Sequence, residues 1–474
     1  MNWINRYIMT GRIHYFSLKE LINLQIIIYG IFISQLIFNF IVVMTTQDYS
    51  YYIFNLLCIL AFVLLFRNRY EIILALSFFF IYSLFNLIGI YLNNIQYGIP
   101  ITFPDESNFY GLSFYYTNIV NSIDWVGIYF FDIIDIVDWI GYHYIISPVG
   151  FIFSKFDENS FLALRQISVF FGTLSVVYIY KLILFFYKNQ KESFYGAMLF
   201  GCLPYMLLYS SVLLRDVVIL FFTIFTIVNL VYLKKSNFIL NFALILMGLL
   251  IVFFLRPENG IFIAFVCLSY AIFTVVSNLN RSFKVILFFI IAFITLILLI
   301  FFYDDLTYRL FKTIRRYGEK SFDGASDGSL GITLNMLPLF IQASAKTFLS
   351  QLQPFPFWYH MDKYARFVDM LGGVLWFGIF LFSLITISWN KFRINISKEL
   401  LILYIFSLIY IIFISMASLN PRRLFIFYPI IYTVAFIGFL QLSNYNKKIY
   451  IILVLCVIFL LHICYLFLKN GMNL

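Results

Sequence analysis

Apolar runs long enough to cross a membrane recur almost from end to end of this chain, and that recurrence leaves few folds open. A helix rises 1.5 Å per residue, so roughly 20 apolar residues cover a hydrocarbon core of about 30 Å. Thirteen such runs fall at about 21-44, 52-66, 72-93, 162-186, 194-214, 216-233, 237-255, 259-278, 284-303, 367-389, 400-416, 424-442 and 449-468. Water cannot serve the backbone inside hydrocarbon, so each run must close its own hydrogen bonds as a helix or pair within a barrel. The alternating segments of a barrel are missing from the sequence. The expected fold is therefore all-α, a polytopic membrane protein of about 11 to 13 transmembrane helices forming one integral membrane domain over 1-474. With 63% hydrophobic and 11% charged residues, a soluble domain is excluded.

Charge gives the orientation. With the N-terminus cytoplasmic, every short inner connection is basic: Arg67 and Arg69, Lys188 and Lys191, Lys234 and Lys235, Arg281 and Lys284, Lys391 with Arg393 and Lys398, Lys447 and Lys448. The net charge of +10 is thereby explained as topology, and nucleic acid is not an expected partner. The first 20 residues lack the pattern of a cleavable signal, so the first span is expected to direct its own insertion. The composition fits a bacterial inner membrane. The five cysteines lie in apolar spans without paired spacing and read as packing residues. The four histidines are too scattered to predict a metal site.

Two connections on the outer side, 94-161 and 304-366, are far longer than a helix turn requires, and such loops carry function more often than not. The first opens with "ITFPDESNFYGLSFYY", which sets Asp105 beside Glu106 directly after Pro104. One reading makes this a helix start, with Asp105 as cap and Glu106 favouring the dipole. The other makes Asp105 a general base toward a sugar hydroxyl, with Glu106 its neighbour. Further on, Asp124, Asp132, Asp135 and Asp138 share one predicted helical face opposite Val126, Tyr129, Ile133, Val137 and Ile140, the pattern of an amphipathic helix on the membrane surface.

Arginines appear where the charge rule discourages them. Arg215, Arg256, and Arg422 with Arg423 all fall at outer helix ends. A guanidinium fork suits phosphate, so a lipid-linked phosphate or pyrophosphate is the expected ligand; Asp216 and Glu258 offer the plainer alternative of structural ion pairs. In the second loop Arg309, Lys312, Arg315 and Arg316 recur at helical spacing, and Arg315 and Arg316 join the candidate phosphate-binding set. The aromatic segment "LQPFPFWYH" is expected to be extended.

The acidic pair in the first outer loop, followed by "RQISVFFGTLSVVYIYKL", "PYMLLYSSVLLRDVVILFF" and "LRPENGIFIAF", resembles the GT-C superfamily of membrane glycosyltransferases, most nearly glycosyltransferase family 39. The likeness covers roughly residues 95 to 275. Two spans precede the one leading into the acidic loop, where that family typically has none. The resemblance implies a polyprenyl-phosphate-linked sugar as donor, a glycan, lipid or protein as acceptor, and an extracytoplasmic site. Asp105 becomes the candidate base and Arg215 and Arg256 candidates for the phosphate. No cofactor is implied, although some members use a divalent metal, for which Asp105 and Glu106 are the candidate ligands. A repeat-unit polymerase of the O-antigen or capsule type is the alternative, resting on Arg309, Arg315, Arg316 and Arg366. A lipid-linked oligosaccharide flippase is the weakest reading, because charges lie in loops and at helix ends rather than mid-span.

The orientation is directly testable. Cysteines introduced at Ser107 and Ser321, in a chain stripped of its native cysteines, should both react with a membrane-impermeant thiol reagent added from outside the inner membrane. Protection of either one breaks the topology.

Overall fold

The structure is a computed structural model that describes residues 18–119, 140–153, 161–233, 236–276, 338–353, 364–388 and 396–471. Every regular element among these residues is helical. In chain order they are α1 (Leu18–Thr46), α2 (Tyr49–Leu65), α3 (Arg69–Tyr97), α4 (Pro104–Ile119), α5 (Ile140–Phe153), α6 (Phe161–Tyr187), α7 (Gln190–Gly201), α8 (Pro204–Ser210) and α9 (Arg215–Tyr232). They continue as α10 (Phe238–Leu255), α11 (Pro257–Val276), α12 (Leu339–Gln351), α13 (Tyr364–Ser388), α14 (Lys398–Ala417), α15 (Pro421–Leu424), a 3-10 turn (Phe425–Phe427), α16 (Tyr428–Gln441) and α17 (Asn444–Gly471).

Among the described residues nine helical segments are long and apolar enough to cross a membrane, and Tyr49–Leu65 and Pro257–Phe273 are shorter apolar helices. The expected run 284-303 lies outside the described residues, as do the predicted amphipathic segment around Asp132, Arg309, Arg315, Arg316 and most of "LQPFPFWYH". The expected span 194-214 is corrected: it is two short helices, α7 and α8, followed by a non-helical stretch. Pro204 explains the first break, since it has no N–H to donate and its ring clashes with the preceding turn. It occupies the first turn of α8, where neither defect matters.

The helices differ sharply in how much of them faces protein. The apolar window of α9 is 89% buried and that of α17 only 6%, so α9 is the centre of the bundle and α17 faces lipid. Around α9 pack α6 and α10; α6 in turn packs on α2, α3 and α7. Lipid tails are as apolar as leucine, so close approach rather than hydrophobic exclusion must bind such helices. Glycines supply it: a Cβ on Gly172 would strike Ser210, on Gly201 the ring of Phe78, and on Gly248 the Thr226 hydroxyl. Hydrogen bonds reinforce the same crossings, as where the Tyr82 hydroxyl donates to the Gly201 carbonyl at 2.9 Å.

Within α1, α2, α3 and α6 lies a buried polar seam of Gln35, Asn39, Tyr51, Asn55, Ser83 and Gln166. Ser83 donates to Gln166 Oε1 at 3.0 Å, and Asn55 donates to the Tyr51 carbonyl at 2.8 Å. At the opposite end from the site described below, Lys181 pairs with Glu71 at 3.6 Å.

Close packing at Gly201 predicts a large asymmetry between glycines. Gly201→Leu should cost about 1–3 kcal/mol through overpacking and lower the thermal midpoint in detergent. Gly30→Ala, with nothing within 4 Å of the added carbon, should leave the midpoint unchanged or slightly raised.

Candidate functional site

The site is assembled at one end of the bundle, where helices start and stop. Gly98 closes α3 in the left-handed conformation (φ 67°), its N–H donating to the Asn94 carbonyl, and turns the chain toward α4. Pro104 begins α4, so Asp105 is the second helical residue rather than the cap. The helix-start reading of "PDES" thus holds for the segment, while the capping role assigned to Asp105 does not.

Glu106 turns inward and is fully buried against Arg165 of α6. Arg165 Nε donates to Glu106 Oε1 at 2.6 Å and Nη2 to Oε2 at 2.7 Å, a bidentate fork. The remaining lone pairs are used as well: the Leu213 N–H donates to Oε1 and the Thr102 N–H to Oε2, both at 2.8 Å. Arg165 Nη2 also reaches the Pro100 carbonyl (2.9 Å) and Thr102 Oγ1 (3.0 Å), and the guanidinium lies over the Phe161 ring. Glu106 is therefore an internal anchor rather than a second reactive carboxylate beside Asp105. Arg165 was not among the expected site residues; its signal was an arginine inside an otherwise apolar span.

Asp105 faces the other way and keeps contact with solvent, its side chain 30% exposed. Arg422 Nη2 donates to Asp105 Oδ2, and the same guanidinium pairs through Nε with Asp216 Oδ2 at 3.0 Å. Asp216, in the first turn of α9, is 1% exposed and pairs through Oδ1 with Arg256 Nη2 at 3.2 Å. Arg256 also reaches Glu258 at 3.6 Å. Burial works against the Arg256 guanidinium, but Asp216 and Glu258 outweigh it and hold its pKa above the ordinary arginine value. Arg215 donates to the Leu255 carbonyl at 3.3 Å, serving an orphan group at the end of α10. Asp216 makes its ion pairs with Arg256 and Arg422, and Glu258 with Arg256, as the structural ion-pair alternative expects.

Local chain geometry explains these positions. Asp105, Asp216 and Glu258 each sit in the first turn of a helix, α4, α9 and α11, where the dipole favours an anion. Asn420 caps α15 by accepting the Arg422 N–H at 3.0 Å, which fixes the direction in which Arg422 leaves the turn. The Tyr410 hydroxyl ties three elements together, donating to Asn259 Oδ1 (2.9 Å) and the Arg423 carbonyl (3.2 Å). Arg423 lies close enough to Asp216 to act on it electrostatically.

Two further residues join the site without having been expected there. Asp369 of α13 accepts a hydrogen bond from the Tyr209 hydroxyl at 2.9 Å and lines a cleft with Gln353, Leu419, Asn420 and Pro421. Phe103 links the two halves, with Arg422 above its ring and Tyr209 at 6.4 Å between ring centres. Of the expected residues, Asp105, Arg215, Arg256, Arg422 and Arg423 come together here; Arg315 and Arg316 lie outside the described residues. The donor set at the acidic pair does not suit a divalent cation, because Glu106 has spent both oxygens and Asp105 already faces a guanidinium.

Comparison of the chain with protein-family models, with curated proteins and with solved structures finds no match in any of the three.

Removing one partner of a buried ion pair leaves the other charge uncompensated. Arg165→Met should therefore cost about 3–5 kcal/mol, read as a fall in thermal midpoint and in folded protein recovered from membranes. Glu106→Gln leaves the Arg165 guanidinium uncompensated and turns an amide NH2 toward donors that Glu106 now accepts from, so it should cost at least as much. Equal stability of Arg165→Met and the unaltered protein would remove this pair as the anchor.

Proposed function

We propose that the chain is a membrane glycosyltransferase that moves a sugar from a polyprenyl-phosphate donor to a glycan, lipid or protein acceptor at this end of the bundle, on the extracytoplasmic side of the inner membrane. The observation that supports it is Arg422, whose one guanidinium touches both the exposed Asp105 and the buried Asp216–Arg256 pair. A proton acceptor and a set of phosphate-suited donors are thereby joined in one contact network. Ionisable groups are costly at membrane depth, and an assembly of them drawn from α4, α9, α11 and α15 needs a reason beyond packing.

In the proposed inverting displacement, an acceptor hydroxyl oxygen forms the new bond to the anomeric carbon on the face opposite the phosphate. The bond from that carbon to the phosphate oxygen breaks, and the lipid phosphate leaves with the electron pair. Asp105 takes the hydroxyl proton. Arg256 and Arg422, with Arg215 and Arg423 nearby, stabilise the charge that appears on the departing phosphate. This chemistry agrees with the resemblance to GT-C family 39, and no step passes through a metal. A repeat-unit polymerase acting on lipid-pyrophosphate-linked oligosaccharide is the second reading. It is favoured by Arg366, which is exposed at the start of α13 and within electrostatic reach of Asp369.

Asp105→Asn preserves size and can still accept the Arg422 hydrogen bond but cannot take a proton. At matched membrane abundance it should lower glycan product roughly 100- to 10,000-fold. Arg256→Lys keeps the charge and loses the fork, so it should weaken donor use while the fold survives. Normal product from Asp105→Asn would remove Asp105 from the chemistry. If Arg366→Ala instead left single lipid-linked repeat units accumulating, the polymerase reading would replace the transferase.

A further inference from the structure

We propose that the cleft lined by Gln353, Asp369, Leu419, Asn420 and Pro421 holds a neutral sugar ring, the acceptor of the transfer proposed above, with Asp369 accepting hydrogen bonds from its hydroxyls.

The cleft has a volume of about 250 Å³, somewhat below the ~300–1,000 Å³ that takes a drug-sized ligand, and so it suits one ring rather than an extended chain. Its chemistry is that of a hydroxyl site. A carboxylate and two amides supply acceptors and donors, while Leu419 and Pro421 offer apolar surface to the C–H face of a sugar. Among the described residues that line it there is no cation, and a phosphate placed there would face Asp369 directly, with Arg422 and Arg366 acting on that carboxylate from outside the described lining. The arginines that suit phosphate belong to the neighbouring Asp105–Arg422–Asp216–Arg256 network instead.

Asp369 also differs from the other carboxylates at this end of the bundle. Glu106, Asp105, Asp216 and Glu258 each pair with an arginine, whereas Asp369 makes no ion pair among the described residues. Its Oδ1 accepts from Tyr209, and its other oxygen accepts from no described residue. The side that holds it is closely packed. Tyr209 is buried, stacked on Tyr205 at 5.6 Å between ring centres and set edge-on to Phe425 at 5.3 Å. Tyr205 in turn donates to the Gln353 carbonyl at 2.7 Å, so one pair of rings on α8 positions two residues of the lining. The link to the reacting side is short: Asn420 lines the cleft and caps α15, and Arg422, two residues on, contacts Asp105.

This inference rests on the transferase reading, and its test separates the two. Binding of methyl glycosides of glucose, galactose, mannose and N-acetylglucosamine would be measured on purified protein in nanodiscs, with inorganic phosphate as the counter-probe. At least one glycoside should bind, and Asp369→Asn should weaken it roughly 10- to 100-fold, the scale of one hydrogen bond to a charged group. Arg256→Lys should weaken phosphate and leave the glycoside unchanged. Carboxyl labelling of the unaltered protein with a carbodiimide and glycinamide supplies a second measurement that does not depend on the folding of a variant. The bound glycoside should protect Asp369 from modification, and phosphate should not. Unchanged glycoside affinity in a folded Asp369→Asn, failure of every glycoside to bind, or absence of protection would each overturn the sugar site. Glycoside binding that depends on Asp369, in a protein whose Asp105→Asn form keeps normal glycan product, would uphold the site and sink Asp105 as its base.

Discussion

The buried contact between Arg165 and Glu106 is the point on which the site-bearing end of this bundle depends. Two opposite charges at full burial are tolerated only when each is paired and hydrogen-bonded, and here every oxygen of the carboxylate is used. The contact fastens α6, at the heart of the packing, to the first turn of α4. Through the Leu213 N–H it also fastens the non-helical stretch between α8 and α9. Irregular backbone is admissible at such depth only where protein satisfies it, and Ser168 completes the arrangement by accepting the Leu214 N–H at 3.3 Å. With that stretch held, Arg215 and Asp216 emerge at a fixed place on α9.

From this anchor the charges divide by task. Asp216 is wholly enclosed and serves as the counter-charge that lets Arg256 and Arg422 sit together without repulsion dominating. Asp105 stands on the solvent side of the same network, and Asp369 stands apart from it across Phe103 and Tyr209. The result is a graded site: guanidinium groups gathered around one buried carboxylate, a more exposed carboxylate beside them, and an amide-lined cleft adjoining. A donor bearing phosphate and an acceptor bearing hydroxyls would each find the chemistry that suits it in a different part of one surface.

The spans were legible because hydropathy integrates over about 20 residues, and no local accident changes the cost of leaving such a segment in water. The break at Pro204 was written in the sequence too, yet the apolar run masked it, since a run of hydrophobic residues does not say whether its helix is continuous. The adjacency of Asp105 and Glu106 was equally misleading. Neighbours on a helix point about 100° apart, so the pair separates into an outward and an inward carboxylate with different work. Arg165 and Asp369 were visible as charges inside apolar segments, but their partners lie 59 and 160 residues away in sequence, beyond any local pattern.

What the sequence by itself determined is the solvent and the secondary structure: a bilayer, helices across it, and the ends at which charge collects. Those follow from the free energy of transferring each segment, which is a property of the segment alone. What only the tertiary structure decided is which charges meet. Arg422 finds Asp105 across 317 residues because Pro421 and Asn420 start a turn there and because α4 is pinned in place by Arg165. Pairing energies of that kind depend on distances of a few ångströms between groups carried by different helices, and those distances exist only once the bundle has packed.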